Sequence, residues 1–249
     1  MDLQPLKTFR ASSNQASLLQ YEGRTFLVKR YAGTHPQERR NCEEQALQAW
    51  GRAGFNVPQL AALDLPELRH IPHLAMTYLA GSTLQEYLQK PGPSMAAKLA
   101  LLTRIFEANC RRHLLACRQQ QPELLHPDPN SSNVLLVHDE FFFIDFETKV
   151  ATRPLEEAAA IEAAKFCRWT ARDLGSASLP EVVERMVAAY RAQPGLLRRI
   201  VSRTCERPFQ FFHRWQDRRR KQRQPQEVTK YDIADALAQA LARLERRPS

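Results

Sequence analysis

The feature that most constrains this chain is a run of turn residues that ends in two short apolar strands. Residues 124–137 read Leu-Leu-His-Pro-Asp-Pro-Asn-Ser-Ser-Asn-Val-Leu-Leu-Val, and residues 141–147 read Phe-Phe-Phe-Ile-Asp-Phe-Glu. The prolines and the Asn/Ser cluster cannot continue a helix. The β-branched and aromatic residues that follow favour strands over 133–137 and 141–145, joined by His138-Asp-Glu140. Such a hairpin returns Asp145 towards Asn133, which itself lies five residues after Asp128. It leaves Asp128 free to accept a proton. It also offers an amide oxygen, from Asn133, and a carboxylate, from Asp145, to a hard cation such as Mg²⁺, which prefers oxygen ligands.

The N-terminal part supplies partners for those groups. Residues 6–9 and 17–20 read as strands on either side of a polar loop, Ala11-Ser-Ser-Asn-Gln15, and a turn at Glu22-Gly23 leads into a strand over 24–31. Alternation along that strand puts Leu27, Lys29 and Tyr31 on one face. Thr34 reads as a helix cap, with Pro36 in the first turn, for a helix running to about Arg52 and stopped by Gly54. On it, Ala46, Leu47, Trp50 and Gly54 lie within about 60° of Glu43. A carboxylate inside an apolar stripe is costly unless paired, which points to a Lys29–Glu43 ion pair. Glu44, about 100° round the helix, is the alternative if the register shifts by one.

The rest of the chain is mostly helical. A strand over 73–79, a short helix capped by Ser82 and a linker at 91–93 precede a Leu/Ala-rich helix from 94 to about 120. After Pro154 the pattern is helical throughout, with breaks at Gly175, Pro180, Pro194-Gly195, Pro208 and Pro225. The last helix opens on Thr229, with Asp232 three residues on and Ile233, Leu237, Leu241 and Leu244 along one face. Strands, one helix, a further strand and a helical half interrupted by a hairpin make an α+β chain in two lobes, 1–79 and 80–249.

His126-x-Asp128-x-x-x-x-Asn133 followed by Ile144-Asp-Phe-Glu147 resembles the catalytic and metal-binding loops of the protein-kinase-like superfamily. Within it, the Asp-Phe-Glu ending is most similar to bacterial lipopolysaccharide-core sugar kinases, the heptose and Kdo kinase group. The resemblance covers roughly residues 5–170. It implies a two-lobed kinase-like fold, with a β-rich N-lobe and a mostly helical C-lobe, and ATP and Mg²⁺ as cofactors. It implies Asp128 as the proton acceptor, Asn133 and Asp145 as metal ligands, and Lys29, held by Glu43, on the ATP phosphates. Leu27 would roof the adenine, and Met76 and Tyr78 would lie in the hinge beside it. His126 is expected to be a structural hydrogen bonder.

The departures from the kinase pattern are informative. No glycine occurs in the loop 11–15, Pro127 replaces an arginine, Asn130 replaces a lysine and Glu147 replaces the glycine of Asp-Phe-Gly. A helix begins by 154–157, which leaves little room for a peptide-docking segment. These changes direct the acceptor away from protein and towards a glycolipid, a sugar or another small molecule.

The charge distribution bears on partners. Residues 1–190 are balanced, whereas residues 191–249 hold 15 Lys/Arg against 6 Asp/Glu and so carry the whole net charge of +9. Phe209-Gln-Phe-Phe-His-Arg-Trp215 stands just before Arg218-Arg-Arg-Lys221. Aromatics beside a basic run suit an anionic membrane surface or single-stranded nucleic acid, or else packing of the rings into the helical lobe. The five cysteines form no CxxC pair, and no signal-peptide h-region or membrane-length apolar run occurs. The expected location is the cytoplasm, peripheral on the inner face of the bacterial inner membrane.

The expected activity is ATP-dependent phosphotransfer to a hydroxyl of a lipopolysaccharide core sugar. The alternatives are a soluble small-molecule kinase of the aminoglycoside or choline type, and a non-catalytic scaffold that binds nucleotide or nucleic acid.

Overall fold

The computed structural model describes residues 7–11, 14–150, 153–205 and 228–246. The chain divides into two compact units, residues 1–82 with 135–150, and residues 83–134 with 151–249. The sequence placed a single boundary, at 79/80. The observed grouping returns the segment 135–150 to the N-terminal unit.

The first unit is built on an antiparallel sheet of order β1-β2-β3-β4, formed by Lys7–Ala11, Asn14–Tyr21, Arg24–Arg30 and His73–Thr77. The loop expected over 11–15 is shorter than its polarity suggests, because Ala11 pairs directly with Asn14 and only two residues separate the strands. Those two, Ser12 and Ser13, lie outside the described residues. Glu22 and Gly23 both have positive φ, 48° and 73°, which is the two-residue turn whose twist matches the strands it joins. Strand alternation then buries Phe26 and Val28 on one face of β3, where Val28 joins Leu19, Leu65 and Ala75 in a core cluster. Lys29 falls on the other face.

Helix α1, Pro36–Arg52, starts one residue later than its expected cap. His35, not Thr34, is the capping residue, in a left-handed conformation and without a side-chain hydrogen bond. Pro36 takes the first helical position, where its missing N–H would have no partner within the helix and its fixed φ is suited. The helix buries Glu43, Ala46, Leu47 and Trp50, and the chain turns away at Gly54 with φ 78°. Trp50 stacks on Phe143 and Phe146 at ring-centroid separations of 4.9 and 4.8 Å. That packing fixes the stretch that carries Asp145 against α1.

The hairpin of β6, Val134–Val137, and β7, Glu140–Phe143, is shorter than expected and forms a small sheet with β5, Ser82–Thr83. Strand β7 ends two residues before Asp145, whose φ of 68° is incompatible with a continuing ladder. Gly81 is required here: a Cβ would lie 2.2 Å from the Leu136 carbonyl oxygen.

The second unit is helical. Helix α2, Leu84–Gln89, is capped by Thr83 in a reciprocal box with Glu86, one residue beyond the expected Ser82. Ser94 caps the long α3, Met95–Gln119. Helix α4, Leu155–Leu174, ends at Gly175 with φ 94°. The helical run is interrupted before Pro180 and before Pro194, as expected, and neither proline lies in a helix interior. They occupy the opening positions of α5, Leu179–Tyr190, and α6, Pro194–Cys205, where a missing N–H costs nothing. Helix α7, Lys230–Glu245, begins with a capping box of Thr229 and Asp232 and packs on α5 and α6. The breaks expected at Pro208 and Pro225, and the aromatic and basic run 209–221, lie outside the described residues. Among the described residues no helix is long and apolar enough to cross a membrane. A small antiparallel sheet region followed by a mostly helical region is an α+β arrangement of the kinase-like kind.

Candidate functional site

In the first unit a strand, a helix and a loop bring their charged groups to one point. Lys29 Nζ lies 2.7 Å from Glu43 Oε2 on α1 and 2.7 Å from Asp145 Oδ1 after β7. A third carboxylate, Glu147 Oε2, lies 3.1 Å away. Glu43 is almost wholly buried, and the Tyr31 hydroxyl donates to its Oε2 at 2.6 Å. Glu44 instead pairs with Arg40 on the surface of α1, at 2.7 Å. The helix register thus puts Glu43, and not its neighbour, on the lysine.

Burial alone would lower the Lys29 ammonium, but Glu43 and Asp145 raise it well above its ordinary value, so it stays charged. Burial pushes the Glu43 carboxyl up, against the pull of Lys29 and of the Tyr31 hydroxyl. Burial and the Glu43 charge together push the Tyr31 phenol far up, so it remains a donor. Glu43, Asp145 and Glu147 offer oxygens within 4.8 Å of one another, a spacing that a metal ion could share. The Lys29 ammonium already stands among them, so a cation entering at that point would have to displace it.

In the second unit the loop 126–133 carries Asp128 and Asn133. Asp128 is exposed, and its Oδ2 accepts from Asn130 Nδ2 at 2.8 Å. Asn130 also caps the turn that follows, its Oδ1 accepting from the N–H groups of Ser132 and Asn133 at 2.9 and 3.1 Å. The Asn133 amide donates to the Asp128 carbonyl at 2.9 Å, which turns its Oδ1 away from the loop backbone. His126 is buried and its Nδ1 accepts from the Asp128 N–H at 3.2 Å, a bracing role. Glu162 on α4 accepts from the His126 N–H at 2.8 Å and is paired with Arg112 on α3. Arg112 in turn donates to the Leu124 carbonyl at 2.5 Å, so one buried ion pair holds residues 124–126 in place.

Leu27 is half-buried on β3, and Met76, its neighbour across the sheet, is buried in β4. Tyr78 lies just past β4, with its N–H donating to the Thr25 carbonyl at 3.3 Å. The structure therefore gathers Lys29, Glu43 and Asp145 in the first unit and Asp128 and Asn133 in the second. Glu147, Asn14 and Arg39 are part of the first cluster and were not singled out from the sequence as functional. For Glu147 a signal was present, a charged residue where the kinase pattern has glycine. Asn14 and Arg39 carried none, since polar residues in a turn or on an exposed helix face are ordinary.

Two of the side chains carry oxygens of a type suited to Mg²⁺. Asp145 Oδ2 and Asn133 Oδ1 accept no hydrogen bond among the described residues, and both are hard oxygen donors of the type that divalent magnesium takes. Residues 6–116 match the phosphotransferase enzyme family. That stretch contains Lys29 and Glu43 and ends before Asp128. No curated protein matches the chain. The match supports phosphotransferase chemistry of the kinase-like superfamily, and it says nothing of the acceptor.

Proposed function

We propose that this chain transfers the γ-phosphate of ATP to a hydroxyl of a lipopolysaccharide core sugar. The observation that carries the phosphotransferase part is the position of Lys29 Nζ, 2.7 Å from both a helix glutamate and the aspartate that follows a hairpin. Lys29, fixed by Glu43, orients the nucleotide phosphates. Leu27, Met76 and Tyr78 line the adenine. Asp145 and Asn133 are the ligands proposed for Mg²⁺, which when bound offsets charge on the phosphate oxygens. Asp128, held by Asn130, accepts the proton of the attacking hydroxyl, and positioning supplies most of the rate.

The acceptor rests on the resemblance of the Asp145-Phe-Glu147 ending and on the short path from it to α4, which leaves little room for a peptide-docking segment. The basic residues beyond 190 would meet anionic lipid or phosphorylated core, an attraction that salt screens. A soluble small-molecule kinase of the aminoglycoside or choline type is the second reading, to which the family match applies equally.

The test is Mg²⁺-dependent transfer of labelled γ-phosphate to dephosphorylated lipopolysaccharide core, with Asp128→Asn as control. The expected result is transfer in the parent and a loss of about 10²–10⁴-fold in the variant, with ATP binding retained. Equal turnover in Asp128→Asn would sink the assignment of the base. ATP binding without transfer to core would move the acceptor to small molecules, and a sugar and amino-alcohol panel would then decide it.

A further inference from the structure

Glu147 sits in a seat built from three donors that are each held in place by something else. Its Oε1 accepts from Arg39 Nη2 at 2.6 Å. Its Oε2 accepts from the Asn14 amide and lies 3.1 Å from Lys29 Nζ. Arg39 is oriented by a second bond, Nη1 to the Ala32 carbonyl at 2.8 Å, and Asn14 by the Ala32 N–H on its Oδ1 at 3.4 Å. Lys29 is fixed by Glu43 and Asp145. Two cations and an amide thus converge from a strand end, a helix and a sheet strand, and none depends on Glu147 for its direction. Preorganised N–H donors of this kind, with a guanidinium among them, match the oxygens of a phosphate group as well as those of a carboxylate.

The charge count makes the seat exclusive. Lys29 and Arg39 face Glu43, Asp145 and Glu147, so the cluster already holds one more negative charge than positive. A phosphate could join only if a carboxylate left. Glu43 is buried on α1 and tied to Tyr31. Asp145 is pinned beside Phe146, which packs under Trp50. Glu147 and Asp145 both lie on the irregular segment 144–150, but Asp145 is the ligand proposed for Mg²⁺ and stays with the nucleotide, which leaves Glu147 as the carboxylate that a side-chain swing would release.

We propose that Lys29, Arg39 and Asn14 form a cradle for a nucleotide phosphate, and that Glu147 fills it in the unliganded protein as an internal competitor. This rests on the nucleotide-binding reading above and adds two ligand-binding residues and a regulating one to it. A competitor that occupies the cradle nine-tenths of the time weakens apparent affinity about tenfold.

The test is calorimetric binding of MgATP and of inorganic pyrophosphate to the parent chain, Glu147→Gln, and the double variant Arg39→Gln/Glu147→Gln. Glu147→Gln is expected to bind both anions about tenfold more tightly than the parent, and the double variant to lose that gain. Thermal melts check that each variant is folded. Should Glu147→Gln fail to fold, Glu147→Asp, whose shorter carboxylate withdraws from the guanidinium, takes its place with the same expected direction. Parent binding of MgATP that is unchanged or weakened in Glu147→Gln would overturn the competitor and leave the phosphotransferase reading standing. Pyrophosphate binding to Glu147→Gln with no MgATP binding in any variant would keep the cradle and overturn that reading. No binding of either anion to any folded variant would overturn the cradle itself.

Discussion

Lys29 and Arg112 are both cations met by glutamates inside the fold, yet their surroundings differ. Around Lys29 the acids outnumber the bases, the lysine and Glu147 side chains keep 13% and 18% of their exposure, and two of the acids, Asp145 and Glu147, lie on an irregular segment. Around Arg112 nothing is exposed and little is in excess. Its guanidinium meets Glu162, the Asn109 side chain at 2.8 Å and the Leu124 carbonyl, while His113 fills the remaining side of the carboxylate at 3.3 Å. One cluster has partners that can be exchanged. The other is a single buried arrangement, and its product is the fixed backbone of residues 124–126 ahead of Asp128. On the proposed reading, the contrast separates a site whose ion pairs change when a nucleotide arrives from a brace whose ion pairs do not.

The largest effect that would break this comparison is on the brace. Glu162→Gln leaves the Arg112 guanidinium buried without a counter-charge, and the expected loss is about 3–5 kcal/mol of stability by urea denaturation. The double variant Arg112→Met/Glu162→Leu should recover only part of it, since it removes the unpaired charge but leaves the His126 N–H, the Leu124 carbonyl and the Asn109 side chain without these partners. A Glu162→Gln protein as stable as the parent would mean that the pair is dispensable and that the loop is held by its own turn bonds.

Acid should tell the two clusters apart. Burial holds the His113 imidazole below its ordinary value of 6.5, so it is neutral in the fold and stability is lost as the pH falls below that value. Burial would raise Glu162, but Arg112 and His113 hold it well below its ordinary 4.5, so its contribution is present above 4.5 and disappears as the pH falls further. In the first unit the direction is reversed. Lys29 is raised, so its contribution is complete below 10.5 and is lost only as the pH climbs beyond that value, while the raised Glu43 carboxyl tolerates acid. Urea melts from about pH 4 to about pH 11, read by pulse proteolysis with fragments assigned to each unit, check this. The expected acid limb belongs to residues 83–134 and 153–205, whereas the alkaline limb is shared, because the raised Lys29 and Tyr31 of the first unit are matched in the second by Tyr190, Cys110 and Cys167, all pushed up by burial. An acid limb in the first unit alone would reverse the assignment of the brace.

The parts of the fold that were legible in the sequence are those set by near neighbours. The Glu22-Gly23 turn, the Ser94 and Thr229 caps, and the Gly54 and Gly175 stops depend on a few consecutive residues. So does the face of α1, where one acid in an apolar stripe demanded a cation. The same argument, applied to α3 and α4, would have found the brace: Arg112 lies on a stripe with Ile105, Ala108 and Ala116, and Glu162 with Ala158, Ala159 and Phe166. Element ends were read less well, because His35, Thr83 and Pro180 are fixed by backbone conformation as much as by side-chain type. The seat of Glu147 was not legible at all. Its donors come from positions 14, 29 and 39, so no spacing along the chain connects them, and only the folded sheet and helix put them together.

The smallest predicted effect uses the two tyrosines that complete the clusters. Tyr31 donates to Glu43 at 2.6 Å, and the Tyr190 hydroxyl bonds His113 Nδ1 at 2.9 Å, with the carboxylate on the opposite ring nitrogen favouring the proton there. Each hydroxyl is buried, so Tyr31→Phe and Tyr190→Phe should each cost about 1–3 kcal/mol through a partner left short of a hydrogen bond. Stability therefore does not distinguish them, but nucleotide affinity does. Loss of the Tyr31 hydroxyl leaves Glu43 held by Lys29 alone and loosens the lysine, and MgATP binding should weaken about three- to tenfold, the low end of what a supporting hydrogen bond contributes to a site. Tyr190→Phe acts on a brace whose geometry either holds or fails, and its affinity should match the parent's wherever it is folded. If the two variants shifted affinity equally, the clusters would be one coupled network. If neither shifted it, Lys29 would be held well enough by Asp145 without Glu43 being fixed.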